Sequence, residues 1–158
     1  MFEWLESTPV ALWVGVSSWA YSFLLSLHIV GLATVVGIFS VRDMRVVGMF
    51  SGLNPTAFLP ISKLAWAGFG LNAGSGLLLF SSQAVTFTES IPFYVKIGAI
   101  LIAMVLAGII QTRLRGELAG QETVQETIVV STPTRMIAGL SLCTWTIAII
   151  AGRLIAYF

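Results

Sequence analysis

Residues 19–41 read WAYSFLLSLHIVGLATVVGIFSV, an apolar stretch with no charged residue before Arg42. About 20 such residues cross the ~30 Å hydrocarbon core of a bilayer as a helix. Further stretches of the same character predict three more spanning helices, at about 64–80, 93–110 and 136–157. The predicted fold class is therefore all-α, an integral membrane bundle of four transmembrane helices in a single domain over residues 1–158.

The composition supports a membrane protein and excludes several other classes. The chain is 57% hydrophobic and only 9% charged, whereas soluble domains carry roughly 25% charged residues. A net charge of +1 without a basic cluster excludes a nucleic-acid partner. The single Cys143 excludes an intramolecular disulfide and a C-x-x-C site. Because Glu3 and Glu6 stand where a cleavable signal peptide has basic residues, the first spanning helix is predicted to act as an uncleaved insertion signal.

The segment before the first spanning helix, residues 2–14, has features of a short interfacial helix. Thr8-Pro9 places a capping residue before a proline at a helix-start position. Trp4 and Trp13 are typical of the aromatic belt at a membrane surface. This segment is therefore predicted to be an amphipathic lead-in that lies at the interface.

Basic residues in the connections predict the orientation in the membrane. Six of the eight Lys and Arg residues lie in or beside the first and third connections. They are Arg42, Arg45, Lys63, Arg113, Arg115 and Arg135. The positive-inside rule places these connections in the cytoplasm and both termini outside.

The only histidine, His28, lies deep in the first predicted helix. At 1.5 Å per residue it is roughly 13 Å below the outer interface, a depth at which a polar ionisable group is by default a functional candidate. A neutral imidazole is a good ligand for haem iron, and four-helix membrane bundles often hold haem b through histidine. Gly31 shares the face of His28. The alternatives are hydrogen bonding to a neighbouring helix, or a proton-relay or metal site.

Two basic residues lie on the same side of the membrane as His28, at shallower depth. Lys96 is near the outer end of the third helix and Arg153 is near the outer end of the fourth. Both are predicted to approach the propionates of a haem hung from His28, or else to snorkel to the headgroups. Met104 is a candidate sixth ligand of the iron, with a place in the apolar core as its alternative. A five-coordinate iron, or a haem shared across a symmetric oligomer, also satisfies the ligand count.

Other polar and small residues have simpler interpretations. The cluster of Arg42, Asp43 and Arg45 is predicted to be an interfacial ion-pair group, and the amide of Asn72 to hydrogen-bond across the bundle. Gln111 is placed at the cytoplasmic end of the third helix. The Gly70-x-x-x-Gly74 spacing favours close helix packing or, alternatively, a slot beside a flat cofactor. No catalytic motif or intramembrane carboxylate pair is present, which favours a protein that is not an enzyme.

Several short stretches resemble a family of small bacterial inner-membrane proteins of unknown function. These are SLHIVGL at 26–32, VRDMRVVG at 41–48, AWAGF at 65–69, Pro92-Phe93 with Lys96, and GRLIAY at 152–157. The resemblance covers nearly the whole chain and implies a four-helix bacterial inner-membrane protein without an established activity. Some members have a histidine where this chain has Gln111, so a second histidine is not implied here. The chain is also loosely similar to cytochrome b-type and copper-resistance membrane domains, through a histidine followed by glycines in the first helix.

These observations lead to two functional hypotheses. The first is a haem b-binding membrane protein for electron transfer or redox sensing, with an unidentified redox partner. In it, His28 is the iron ligand and Gly31, Lys96, Arg153 and Met104 lie around the cofactor. The second is a non-enzymatic channel, small transporter, or accessory or scaffold subunit of a membrane assembly. Both predict contact with the lipid bilayer and assembly as a homo-oligomer, because four short helices bury little surface.

Overall fold

The computed structural model of this chain describes residues 2–50, 52–119 and 130–157, which form helices and contain no strand. Two short helices, α1 and α2, precede the first long helix, and one short helix, α5, joins the second and third. A single 3-10 turn at Pro55–Ala57 leads into α4. In chain order the helices are α1 (Glu3–Glu6), α2 (Pro9–Val16), α3 (Ser18–Val47), α4 (Phe58–Ser82), α5 (Ala84–Glu89), α6 (Ile91–Ala119) and α7 (Thr132–Leu154).

The four long helices confirm the predicted fold class. Each of α3, α4, α6 and α7 is long and apolar enough to cross a membrane, so the chain is a multi-pass, four-helix membrane protein. The helices are longer than most of the apolar stretches that predict them. The helix α3 runs on to Val47, because charged residues continue a helix as well as apolar ones do. It ends at Gly48, whose φ of 116° lets the Gly48 and Met49 amides donate to the Met44 carbonyl.

The helix α3 is central to the packing, since it contacts both α4 and α7, while α6 packs against α7. Within the described residues, α4 and α6 have few close backbone approaches. An apolar core fills the middle of the bundle between the helices. Its buried members are Val35, Phe39, Ala65, Ala103, Met104, Ala107 and Trp145.

The closest helix crossing joins α3 to α4 at two glycines. A Cβ atom at Gly31 would lie 2.7 Å from the Asn72 nitrogen and 2.8 Å from the Gly68 oxygen. A Cβ at Gly68 would lie 2.9 Å from the Thr34 side chain. In contrast, Gly70 and Gly74 face open space, with no atom within 4 Å of a Cβ built there. Among the described residues, the predicted G-x-x-x-G spacing therefore makes no helix contact, and Gly31 with Gly68 provides the close approach instead.

The N-terminal segment begins its second helix as the sequence predicts. The Thr8 hydroxyl accepts from the Ala11 amide at 3.3 Å, and Pro9 opens α2. However, α2 reads PVALWVGV and has no polar side chain. The position of α2 is set by apolar packing, because Val14 is buried against Leu24 and Leu79. The Glu6 carboxylate also accepts from the Val85 amide at 2.8 Å, which joins this segment to α5.

Candidate functional site

The His28 side chain is held against the middle of α4 by a reciprocal pair of hydrogen bonds. Its Nδ1 lies 2.9 Å from the Asn72 carbonyl oxygen, and the Asn72 side-chain amide donates to the His28 carbonyl at 2.9 Å. A carbonyl oxygen only accepts hydrogen bonds, so the geometry assigns the proton of a neutral ring to Nδ1. Nε2 then carries the lone pair. The cross-bundle hydrogen bonding predicted for Asn72 is confirmed.

Small residues on α4 make room for the imidazole. A Cβ at Gly76 would lie 3.0 Å from Cε1 and 3.2 Å from Nδ1 of His28. The Ser75 hydroxyl donates to the Leu71 carbonyl at 2.7 Å and lies 3.4 Å from Nδ1. Ser75 was not predicted at the site, and Gly76 was predicted only as one of a cluster of glycines on this helix. Their offsets of three and four residues from Asn72, which place all three on one helix face, are the signal that identifies them.

The edge of the imidazole that carries Nδ1 and Cε1 is the one buried in α4. The Asn72 side-chain nitrogen lies 3.3 Å from both Nδ1 and Nε2, and its 2.9 Å hydrogen bond to the His28 carbonyl is shorter. His28 as a whole is half-buried. Nε2 is therefore the ring atom with a lone pair for a ligand, and a ligand there would displace its hydrogen bond from the Asn72 amide at 3.3 Å.

Gly31, predicted near a cofactor, lies at the closest backbone crossing of α3 and α4. The contacts at that crossing leave no space for a flat ring between Gly31 and the backbone of α4. Instead, Gly31 brings the two helices together one turn away from His28. Its role in the geometry is to set the distance across which His28 reaches Asn72.

Lys96, the first of the two cations predicted to approach a propionate, lies near the start of α6. The Lys96 stem runs along α7, with Cδ and Cε 3.5 Å from the position a Cβ would occupy at Gly152. In the part of the chain described, the half-buried ammonium makes no ion pair with a carboxylate. Lys96 thus places a half-buried cation where α6 meets α7.

Arg153 and Met104 are placed apart from this pair. The Arg153 guanidinium is exposed, donates to the Tyr157 hydroxyl at 3.0 Å and lies 5.2 Å from the centre of that ring. Met104 is buried in the apolar core with Val35 and Trp145. Since Val35 lies two turns along α3 from His28, Met104 occupies a deeper layer of the bundle than the imidazole does.

Aromatic rings lie next to this site, one turn along α4 from Gly76. Phe80 stacks on Phe93 at a centroid distance of 5.4 Å, and Phe87 stacks on Phe93 at 5.6 Å. These rings connect α4, α5 and α6 where the helix backbones are apart. The result is an apolar, aromatic cluster at the end of α4 that is nearer to Gly76.

A second polar layer lies near the other end of the bundle. The ion pair predicted for Arg42 and Asp43 is confirmed, with Nη2 of Arg42 2.7 Å from Oδ1 of Asp43. The two side chains are only 1% and 0% exposed, because α6 and α7 cover this part of α3. Arg45, predicted in the same group, donates instead to the Leu53 carbonyl. Gln111 was expected to close the third helix. Instead α6 continues to Ala119, and the buried Gln111 amide donates to the Ser62 hydroxyl at 2.9 Å.

Comparison with known proteins adds no family to these observations. No family model, no curated protein and no solved structure matches the chain. Among the described residues, no group of three or more His, Cys, Asp or Glu side chains is arranged to hold a metal ion. The resemblance to a bacterial membrane-protein family remains a prediction, and the geometry around His28 is the basis for a functional proposal.

Proposed function

We propose that this chain is a haem b-binding membrane protein in which Nε2 of His28 is the axial ligand of the iron. The observation that supports this proposal is the 2.9 Å contact between His28 Nδ1 and the Asn72 carbonyl. Histidines that ligate metals typically donate their other ring N–H to a carbonyl or carboxylate, which fixes the tautomer and strengthens the ligand. The imidazole of His28 has the tautomer and the restraint that this role requires.

The surroundings of His28 suit the other parts of a haem. Stacked phenylalanines offer an apolar surface for a porphyrin. Because the backbones of α4 and α6 make little contact, side chains fill the space between these two helices. The Lys96 ammonium is suited to pair with a propionate. Arg153 would contribute a second charge only after leaving Tyr157.

Among the described residues, His28 is the one ligand that we propose for the iron. Met104 is packed in the apolar core, two turns from His28, and no second histidine exists. A single protein ligand is consistent with a five-coordinate iron, or with a sixth ligand from a second copy of the chain. When bound, haem b supplies reversible one-electron transfer. We therefore propose electron transfer or redox sensing with an unidentified redox partner.

The proposed setting is the bacterial inner membrane, with both termini on the outer side and the chain in a homo-oligomer. Six of the eight basic residues lie in or beside the first and third connections, which supports this orientation. The outward apolar side chains of α3, α4, α6 and α7 would contact lipid or a second copy. The proposed haem would then lie in the outer half of the membrane.

A structural role, as a channel, transporter, accessory or scaffold subunit, is the second candidate. It is favoured by the reciprocal hydrogen bonding, since His28 and Asn72 each donate to the other's carbonyl across α3 and α4. Such pairing stabilises helix association without a cofactor. This candidate predicts that the protein binds no pigment and that replacing His28 alters assembly or permeation alone.

An optical spectrum separates the two candidates. We would purify the full chain in mild detergent, titrate it with hemin, and assay bound haem as the pyridine haemochrome. The haem proposal expects a Soret band at one haem per site, lost in His28→Ala and retained in Ser26→Ala. Ser26 is a suitable control because it is exposed on the same helix and its hydroxyl donates only to the Ser22 carbonyl. A wild-type protein that remains colourless after hemin addition overturns the haem proposal.

A further inference from the structure

The polar layer around Arg42 and Asp43 has hydrogen-bonding groups that its protein partners leave unused. Arg42 directs Nε, at 2.8 Å, and Nη2, at 2.7 Å, to the same Oδ1 atom of Asp43. Its Nη1 donates to the Ala107 carbonyl on α6 at 3.2 Å. The other carboxylate oxygen, Oδ2, is buried and has no hydrogen-bond partner.

Two buried donors on α7 lie in the same layer. The Ser141 hydroxyl and the Trp145 indole N–H are both buried and have no hydrogen-bond partner. The two helices are in register here, because Trp145 stacks on Phe39 with centroids 6.4 Å apart. Phe39 and Asp43 are one turn apart on α3, as Ser141 and Trp145 are on α7. Asp43 therefore lies level with Ser141.

These three atoms are complementary in their chemistry. Oδ2 of Asp43 only accepts, the Trp145 N–H only donates, and the Ser141 hydroxyl does both. Since Trp145, Ser141 and Asp43 are at most 1% exposed, bulk water does not satisfy them. Buried polar groups that lack protein partners are typically bridged by ordered water, which makes two to four hydrogen bonds.

We infer that the layer between α3 and α7 is a water-binding site, with bound water ligated by Asp43 Oδ2, Ser141 Oγ and Trp145 Nε1. The buried Gln111 Oε1 on α6, one turn from Ala107, is a further acceptor without a partner. Because Arg42 neutralises Asp43, the site suits a neutral ligand of water size better than a cation or an anion. The bundle then holds an internal hydrated layer in the half that is remote from His28.

Hydroxyl-radical footprinting of the full chain in detergent tests this inference, because X-ray pulses generate radicals from bound water in place. We expect Trp145 to be oxidised although it is 1% exposed. Met104 is the control, since it is also reactive towards radicals and buried, but it lies among apolar side chains. Protection of Trp145 as complete as that of Met104 would contradict a water site.

The sign of a stability change gives a second, independent test. If the layer were dry, Ser141→Ala would remove an unsatisfied hydroxyl and leave the unfolding midpoint unchanged or higher. With bridging water, Ser141→Ala lowers the midpoint, and its effect is not additive with that of Trp145→Phe. Ser22→Ala, at an exposed hydroxyl bonded within α3, should have no effect. A midpoint raised by Ser141→Ala would overturn the inference.

Discussion

His28 and Asn72 are linked twice, since each contributes one donor and one carbonyl acceptor to the other across α3 and α4. Gly31 and Gly68 make this possible by bringing the two backbones within van der Waals contact one turn away. The tautomer that results leaves Nε2 without a proton. One contact therefore has two consequences: it stabilises the helix pair, and it prepares the imidazole as a ligand.

Asn72→Ala removes one of the two hydrogen bonds and retains the Asn72 backbone carbonyl. Interhelical hydrogen bonds within membranes contribute ~0.6 kcal/mol on average and at most ~1.7 kcal/mol. We expect the free energy of unfolding to fall by about 1 kcal/mol, measured by titration of detergent micelles with SDS. Ser81→Ala, whose exposed hydroxyl donates only to the Leu78 carbonyl, is the control that should be silent. An Asn72→Ala variant as stable as the control would show that this pair adds nothing to helix association.

Gly31→Ala should be destabilising because its Cβ would meet backbone atoms of α4 at 2.7 and 2.8 Å. Backbone atoms cannot move aside singly, so α3 and α4 must separate, at a cost of about 1–3 kcal/mol. Gly37→Ala on the same helix meets no atom within 4 Å and should be unchanged, or more stable by up to about 1 kcal/mol through helix propensity. Equal unfolding free energies for the two variants would show that the crossing is not at Gly31.

Gly76→Ala should act on the imidazole more than on the fold. The new Cβ would lie 3.0 Å from Cε1 and 3.2 Å from Nδ1, and these atoms end a flexible side chain. A small shift of the ring lengthens its bond to the Asn72 carbonyl. Loss of such a supporting contact typically weakens metal binding by about 10- to 100-fold, so hemin affinity should fall by that order. Gly74→Ala, which faces open space, should bind hemin as the wild type does.

The sequence predicted the helices and the cross-bundle hydrogen bond of Asn72 for reasons that are local. Long apolar stretches define spanning helices, and an amide in such a stretch must find a partner. The burial of Arg42 was not predictable in this way. A charge at the end of an apolar stretch is usual at the interface, and only the tertiary placement of α6 and α7 covers it. Similarly, the choice of Gly31 and Gly68 over Gly70 and Gly74 depends on the rotation of α3 against α4.

Removing one member of the buried Arg42–Asp43 pair should lower the free energy of unfolding far more than replacing both members. Arg42→Met alone, or Asp43→Leu alone, leaves an uncompensated charge in the bundle and should lower the free energy of unfolding by about 3–5 kcal/mol. The double variant Arg42→Met/Asp43→Leu should recover most of that loss, because an apolar pair needs no desolvation of charge. Unfolding of the four proteins in SDS gives the coupling energy. Losses that simply add would mean that the two side chains act independently.

Lys96→Met should change stability and haem binding in opposite directions. Without haem, the half-buried ammonium has no carboxylate partner among the described residues, so its removal should raise the free energy of unfolding. The gain should be smaller than the ~2.5–3.5 kcal/mol that a charge costs at the centre of a spanning helix, because Lys96 lies close to the start of α6.

With haem, the same variant loses the cation proposed to pair with a propionate, and hemin should bind more weakly. Arg153→Met is the matched comparison, since its exposed guanidinium is bonded to Tyr157 and should affect both measurements less. If Lys96→Met and Arg153→Met bind hemin with the affinity of the wild type, neither cation faces the propionates, and Lys96 is then only a snorkelling side chain.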